Sequence, residues 1–415
     1  MTSEPTQQAF VWVWLPDQTQ PVVAGKLINR GPLITFTYGR SYLARSDAIA
    51  LFLPELPLRT GEITPVTGDL AGCMVDAGPD SWGRRIIEHR DPGSGENLGS
   101  LGYLLLSGSN RIGALDFQTS ATEYLSRPGD SAQLSELAEA AERLEQGLPL
   151  SRALDRAILH GTSVGGARPK AILADGRRQL IAKFGSVTDW WPVVQAEYLA
   201  MELARLAGLK VAAVELDQAL GKNVLLVERF DRTSAGTRRM MVSAMTILEL
   251  HDAYGIAGRY GSYADLAHQI RARFSDPEGT LRELFSRIVF NILVGNTDDH
   301  ARNQAAFWNG AQLTLTPAYD IAPQSRTGGE AVQAMAYGPS GQRLSQVSRC
   351  VDHATLYYLT PAQAQEIADH QIATIHDHWN NLCERARLTK PQREWLWGRQ
   401  FLNPFALEGY GKRLL

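Results

Sequence analysis

Several features that identify common protein classes are absent from this sequence. Its three cysteines, Cys73, Cys350 and Cys383, are far apart and form no Cys-x-x-Cys pair, which argues against a disulfide framework and a structural zinc site. No uninterrupted apolar run is long enough to cross a bilayer, and the opening residues MTSEPTQQAF lack the basic and apolar pattern of a signal peptide. These absences predict a cytoplasmic protein that does not enter a membrane.

An excess of positive charge is also lacking. The formal net charge is −3, so the chain has no global basic field with which to bind nucleic acid on its own. Charged residues make up 20% of the chain and hydrophobic residues 44%, a composition typical of globular rather than disordered proteins. At 415 residues the chain exceeds one ordinary core, and we expect two or three domains or lobes.

The periodicity of the chain predicts an α+β protein with a strand-rich first half and a helical second half. Strands are expected at AFVWVWL, PVVAGKLI, LITFTY, RQLIAKF and NVLLVERF. Helices are expected at PDSWGRRIIEHR, at VVQAEYLAMELARLAGL and at SAQLSELAEAAERLEQG, which would begin at Ser131. Beyond about residue 240 helical patterns dominate, with a capping box at Ser262 and Asp265 and a helix start at Thr360-Pro361.

The stretch GNTDDHARNQ, residues 295–304, directly follows an apolar helical run. Asp298 and Asn303 have the Asp-x-x-x-x-Asn spacing of kinase catalytic loops, whereas Asp299 does not. In phosphoryl transfer such an aspartate orients the attacking hydroxyl, and such an asparagine holds Mg²⁺. In an isolated loop the same residues could instead serve turn chemistry.

A second carboxylate follows at Asp320, in the stretch PAYDIAP. Asn309-Gly310 predicts a two-residue hairpin turn that brings Asp320 back beside Asn303. The oxygens of a carboxylate and an amide suit Mg²⁺. The histidines of the tail DHQIATIHDHW do not share one helical face, and we expect a solvated helix there rather than a metal site.

Residues that could bind a nucleotide lie upstream. The stretch SVGGARPK offers Gly165 and Gly166, whose backbone could approach phosphates, but it is not a Walker A loop and could be an ordinary turn. Lys183 is alone in an apolar strand, as a phosphate-pairing lysine must be, although it could also be an edge-strand lysine. Glu197, on the next helix, could hold that lysine or be solvated.

The stretches GGARPKA, ERFDR, GNTDDHARN and PAYDI together resemble the signatures of HipA-like serine/threonine kinases, the toxins of HipBA-type toxin–antitoxin modules. The resemblance runs over nearly the whole chain. It implies a two-lobed, protein-kinase-like fold that uses ATP and Mg²⁺. The lobes implied are a β-rich N-terminal subdomain, an ATP-binding part with glycine-rich loop and hinge, and a helical C-lobe, at residues 1–148, 149–235 and 236–415.

The resemblance also assigns roles to individual residues. It implies that Asp298 is the catalytic aspartate and that Asn303 and Asp320 are the magnesium ligands. Ser163 falls where family members carry an autophosphorylated serine, with Thr162 as the alternative. The residues implied to bind the nucleotide are Val164, Gly165, Gly166, Lys170, Lys183, Glu228, Phe230 and His300, although His300 could also be a structural histidine.

The partners are implied by the same resemblance. Family members phosphorylate an aminoacyl-tRNA synthetase and pair with a helix-turn-helix antitoxin, HipB-like, through which they reach operator DNA. Here the segment after the hinge reads MMVSAMTILEL instead of the Gln-, Glu- and Asp-rich segment of the best-known members, which leaves the target open. Two alternatives remain, a small-molecule kinase of the sugar or aminoglycoside type and a non-catalytic co-repressor subunit that binds ATP.

Overall fold

The chain divides into two compact units, each built from several stretches of sequence. The computed structural model describes residues 6–90, 98–127, 132–162, 166–176, 178–250, 261–326 and 329–410. The first unit consists of Met1–Thr188, Asp217–Val242 and Phe307–Ala311, and the second of Asp189–Leu216, Ser243–Ala306 and Gln312–Leu415. The predicted divisions at residues 148 and 235 stay a prediction.

The first unit begins with a four-stranded antiparallel sheet. Its strands are β1 Gln8–Val13, β2 Val22–Asn29, β3 Ile34–Tyr38 and β4 Leu115–Gln118, in the order β3-β2-β1-β4. Ala9, Val11 and Val13 of β1 are buried, as expected for a central strand with alternating side chains. The three strands predicted in this region are confirmed.

A second four-stranded sheet contains the predicted strands RQLIAKF and NVLLVERF. Its strands are β5 Lys170–Asp175, β6 Arg178–Phe184, β7 Val214–Ala219 and β8 Lys222–Glu228, in the order β5-β6-β8-β7. Strand β5 is not predicted from the sequence, which places Lys170 at the end of a loop; Lys170 is the first residue of this strand.

Helices from the first half of the chain cover this second sheet. The first unit contains α1 Arg40–Leu43, α2 Gly72–Val75, α3 Ser81–Arg90, α4 Gly99–Leu106, α5 Leu134–Glu145 and α6 Arg152–Ile158. One hydrophobic core joins Trp82 and Ile86 of α3 to α5, α6 and the sheet. The predicted α5 start at Ser131 is wrong, because the helix begins at Leu134, after a capping box made by Gln133 and Glu136; Ser131 itself lies outside the described residues.

The second unit is mainly helical. Its helices are α7 Val193–Leu206, α8 Ala244–Ile247, α9 Tyr263–Arg273, α10 Pro277–Leu293, α11 Val347–Val351, α12 Pro361–Arg385, α13 Lys390–Leu396 and α14 Pro404–Leu407. The buried helix α10 packs against α9, α11 and α12. Ser262 and Thr360 accept the predicted N-cap hydrogen bonds. In the part of the chain that the structure describes, no helix has both the length and the apolar character needed to span a bilayer.

Three short strands complete the fold. They are β9 Met241–Ser243, β10 Ala305–Trp308 and β11 Leu313–Leu315, in the order β11-β10-β9. The predicted hairpin is present between β10 and β11, but its loop has four residues, 309–312, rather than two. Gly310 has φ +98°, and the Asn309 side chain accepts from the Ala311 amide at 2.9 Å, which is typical of turn chemistry.

Candidate functional site

The stretch GNTDDHARNQ forms the loop that follows α10. Gly295 ends the helix with φ +68°, the left-handed conformation that commonly terminates helices. A Cβ atom there would lie only 2.7 Å from the backbone oxygen of Gln400. Glycine is therefore required at this position both for its backbone conformation and for the close approach of another segment.

A buried carboxylate fixes the shape of this loop. Asp299 is 2% exposed and accepts hydrogen bonds from the Tyr263 hydroxyl, from Asn291 Nδ2 at 2.8 Å and from Gln304 Nε2 at 2.9 Å. Burial raises the pKa of Asp299, and the bonds from Tyr263 and Gln304 offset part of that shift. Asp299 thus connects α9 and α10 to its own position in the loop and to the end of the loop at Gln304. The sequence did not predict this role.

Asp298 occupies a different environment from its neighbour. Its side chain is half-buried rather than buried. Its backbone oxygen accepts a long hydrogen bond from Asn303 Nδ2 at 3.4 Å. The backbone amide of Asn303 donates to the backbone oxygen of His300 at 2.8 Å. The predicted Asp-x-x-x-x-Asn pair therefore lies within one tight turn, and the bond to Asp298 engages the nitrogen of the Asn303 side chain.

The hairpin returns Asp320 toward Asn303, as the sequence predicts. Thr316 donates to the Ala305 oxygen through its amide at 3.0 Å, and the Tyr319 hydroxyl donates to the Arg302 oxygen at 2.8 Å. Arg302 directly precedes Asn303, and Tyr319 directly precedes Asp320. Asp320 itself has φ +59°, a conformation that costs free energy for a residue other than glycine and is common at functional sites.

A magnesium ion would be held here by an amide and a carboxylate. With the nitrogen of Asn303 bonded to Asp298, the amide oxygen is the atom that Asn303 would offer, and it would act beside the Asp320 carboxylate. Hard oxygen donors of this kind suit Mg²⁺, which keeps several waters and substrate phosphate oxygens as its other ligands. The donor chemistry of the pair therefore fits the predicted ion. Among the described residues, no group of three or more His, Cys, Asp and Glu side chains is arranged to hold a metal.

His300 lies on the same loop. Its Nδ1 atom is buried and has no hydrogen-bond partner within the described ranges. A structural histidine normally bonds both ring nitrogens, or bonds one and exposes the other to water. The predicted nucleotide contact of His300 stays a prediction.

The stretch SVGGARPK, residues 163–170, hereafter the glycine-rich stretch, belongs to the first unit. Ser163, Val164 and Gly165 are outside the described residues. Gly166 has φ +113°, and a Cβ atom there would collide with the Nζ atom of Lys170. The positive φ favours glycine at this position, and the Lys170 ammonium lies beside it.

Lys183 and Lys170 occupy directly facing positions on β6 and β5. Facing residues of an antiparallel pair project from the same side of the sheet, so both lysine side chains leave the same face. Strand β6 lies between β5 and β8, so the alternative reading of Lys183 as an edge-strand lysine is wrong.

Hydrogen bonds and ion pairs of Arg229 hold the segment after β8 in place. Arg229 donates through its amide to the Gln179 oxygen at 2.9 Å and through its guanidinium to Asp231 at 2.8 Å. Burial alone would raise the pKa of Asp231, but Arg229 and Arg232 outweigh it and hold that pKa below its usual value.

The predicted adenine contacts, Glu228 and Phe230, flank the anchored Arg229. Glu228 is the last residue of β8, and Phe230 stacks edge-on against Phe307, with ring centroids 6.0 Å apart. Both side chains are half-buried. Their contact with a nucleotide stays a prediction.

Glu197 lies on α7 and is 5% exposed. The alternative reading of a solvated helix residue is therefore wrong. The three C-terminal histidines, His370, His376 and His378, are exposed on α12, as predicted.

Comparison with known proteins gives consistent results along the chain. Residues 162–379, just over half of the chain, match the HipA-like C-terminal domain, and residues 13–118 match the HipA N-terminal domain. The serine/threonine-protein kinase toxin HipA of Shewanella oneidensis is 24% identical over 183 residues, which cover 38% of this chain and 42% of that one. The protein Y4mE of Sinorhizobium fredii is 28% identical over 148 residues, which cover 34% of this chain and 33% of that one. The aligned parts thus span less than half of either relative.

A solved structure extends the match to nearly the whole chain. HipA of Shewanella oneidensis, in a complex with HipB and its operator DNA, superposes with a TM-score of 0.65 at 18% identity and covers 93% of this chain and 94% of that one. The protein therefore has the two-lobed, protein-kinase-like α+β fold that the sequence resemblance implied. Because a single domain model matches more than half of its residues, the chain belongs to the HipA-like family.

Proposed function

We propose that this protein is an ATP- and Mg²⁺-dependent serine/threonine protein kinase. The observation that carries the proposal is the contrast between the two adjacent aspartates of the loop after α10. Asp299 is buried and bonded by Tyr263, Asn291 and Gln304, so it holds the loop. Asp298 is half-buried in the same turn as Asn303, and a carboxylate that orients a substrate hydroxyl needs to be accessible to it.

Each residue has a distinct proposed role in the transfer. Asp298 accepts a hydrogen bond from the substrate hydroxyl and orients its oxygen toward the γ-phosphorus. Lys183 and Lys170 bind the phosphate oxygens, and backbone groups from Glu228 to Phe230 bond the adenine edge. When bound, Mg²⁺ supplies positive charge against the phosphate oxygens, with Asn303 and Asp320 as its protein ligands.

We further propose that the protein is the toxin of a toxin–antitoxin module. The support is the overall match to a HipA chain solved with HipB and operator DNA. A helix-turn-helix antitoxin would also explain access to DNA for a chain whose net charge is −3. The proposed substrate is a component of translation, of the aminoacyl-tRNA synthetase class, as the family resemblance implies.

Autophosphorylation of Ser163 is the proposed form of self-control. A phosphate adds about 1.5 to 2 negative charges, and Ser163 lies seven residues before Lys170, in a segment proposed to bind phosphate. Repulsion of ATP should then lower activity. Mass spectrometry after incubation with Mg²⁺ and ATP should find phosphate on Ser163, with Thr162 as the neighbouring candidate. Two unmodified residues in an otherwise active preparation would contradict this proposal.

The decisive experiment for the reaction class is transfer from γ-labelled ATP into a cell lysate. A labelled protein band that disappears with Asp298→Asn supports the protein kinase. Label that enters only small metabolites would favour the small-molecule kinase. ATP binding without any transfer would favour the non-catalytic co-repressor subunit.

A further inference from the structure

Helix α3, from the N-terminal part of the chain, meets the glycine-rich stretch at Gly166 and Lys170. Trp82 makes two hydrogen bonds there. Its backbone amide donates to the Gly166 oxygen at 3.2 Å, and its indole Nε1 donates to the Lys170 oxygen at 2.8 Å. The first amides of a helix have no partner within the helix, so the bond to Gly166 satisfies one of them.

Thr162, directly before the stretch, contacts the same helix. A Cβ atom on Gly83 would lie 2.5 Å from the Thr162 oxygen, so the backbones of α3 and Thr162 are in direct contact. The Thr162 hydroxyl donates to the Leu159 oxygen at 2.8 Å and accepts from the Gly108 amide at 3.1 Å. Thr162 is fully buried and is therefore held from two sides.

These contacts join parts of the chain that match different domain models. Trp82, Gly83 and Gly108 lie within the match to the HipA N-terminal domain, residues 13–118, whereas Thr162, Gly166 and Lys170 belong to the match to the HipA-like C-terminal domain, residues 162–379. The proposed phosphate-binding stretch is consequently anchored by residues that its own domain does not contain.

We propose that Trp82 is a positioning residue for nucleotide binding, through which α3 of the N-terminal domain holds Gly166 and Lys170, while Gly83 of the same helix contacts Thr162. This inference rests on the proposed ATP-dependent function. Trp82 does not touch the nucleotide. It fixes the carbonyl of Lys170, and with it the start of β5, where the Lys170 ammonium rests against Gly166 and faces Lys183.

The principal variant is Trp82→Phe, because it keeps an aromatic ring in the core while removing the indole N–H together with part of the buried ring volume. Trp12→Phe is the matched control, since Trp12 Nε1 donates to the Ser120 oxygen at 3.0 Å in the N-terminal sheet, away from the glycine-rich stretch. Both variants lose one indole-to-carbonyl hydrogen bond and should lose similar stability.

Two measurements on the full chain separate positioning from folding. In hydrogen–deuterium exchange without nucleotide, peptides that cover residues 161–171 should exchange faster in Trp82→Phe and remain unchanged in Trp12→Phe. In calorimetric titration with Mg²⁺ and ATP, Trp82→Phe should weaken binding about 2- to 10-fold, the effect of one lost buried hydrogen bond. Trp12→Phe should bind as the wild type does.

The outcomes distinguish this inference from the proposed function. Equal exchange of residues 161–171 in the two variants would overturn the positioning role, whatever the ATP affinity. A second outcome is faster exchange in Trp82→Phe together with a wild-type protein that binds no ATP. The contact of Trp82 with the glycine-rich stretch would then stand, but its role in nucleotide binding and the kinase proposal would both be overturned.

A second pair of variants covers the case in which Trp82→Phe does not fold. Gly83→Ala keeps Trp82 but pushes a methyl group against the Thr162 oxygen. Its control is Gly102→Ala on α4, where the atoms nearest to the new methyl group belong to the flexible side chain of Leu98. Faster exchange at residues 161–171 is expected in Gly83→Ala alone, and equal exchange in both would contradict the inference.

Discussion

The two loops proposed to carry the chemistry are supported in opposite ways. The loop at residues 295–304 is held by residues of its own domain match, 162–379, because Tyr263, Asn291 and Gln304 all bond Asp299. The glycine-rich stretch is held by Trp82, which lies 88 positions before Lys170. The loop at residues 295–304 is therefore supported within its own domain, whereas the glycine-rich stretch depends on a distant part of the chain.

The sharpest test of this comparison is Asp298→Asn, for which the largest effect is expected. Loss of the orienting carboxylate should lower the rate of phosphoryl transfer about 10²- to 10⁴-fold. ATP affinity and the unfolding midpoint should stay close to those of the wild type, because Asp298 is half-buried. Rates measured with labelled ATP under single-turnover conditions test this. An Asp298→Asn protein with wild-type transfer would sink the assignment.

Asp299→Asn should have the complementary effect. The change places an amide nitrogen among the donors of Tyr263, Asn291 and Gln304, so a buried donor is left without an acceptor. The free energy of unfolding should fall by about 1–3 kcal/mol, as measured by urea denaturation. Asp298→Asn is the control, because it alters the neighbouring carboxylate outside this network. If the two variants are equally stable, Asp299 does not support the loop.

The smallest effect expected concerns Lys183→Ala. Loss of one charged hydrogen bond to phosphate should weaken ATP binding by about tenfold, or about 1.4 kcal/mol, without collapse of the fold. Lys222→Ala is the matched control from the same sheet, since Lys222 is 62% exposed and pairs with Glu142. Titration of both variants with Mg²⁺ and ATP decides the point. Equal affinities would leave Lys183 without a role in binding.

Much of the fold could be predicted because it depends on short-range patterns. Alternation predicted β1, β2 and β3, and capping residues predicted the starts of α9 and α12. Strand β5 was missed because Lys170 follows a run of glycine, arginine and proline that reads as a loop. Its strand conformation comes from pairing with β6, a tertiary contact that overrides local preference.

The sequence by itself determined the order and spacing of Asp298, Asn303 and Asp320. It also predicted the hairpin between Asn303 and Asp320, because the turn is encoded locally. It could not distinguish the structural role of Asp299 from a solvated one, since only burial against Tyr263 and Asn291 gives that carboxylate its partners. The anchoring of the glycine-rich stretch by Trp82 was likewise decided by the tertiary structure alone. Hydrogen bonds between residues 88 positions apart leave no periodic trace in a sequence, because packing rather than spacing along the chain brings the partners together.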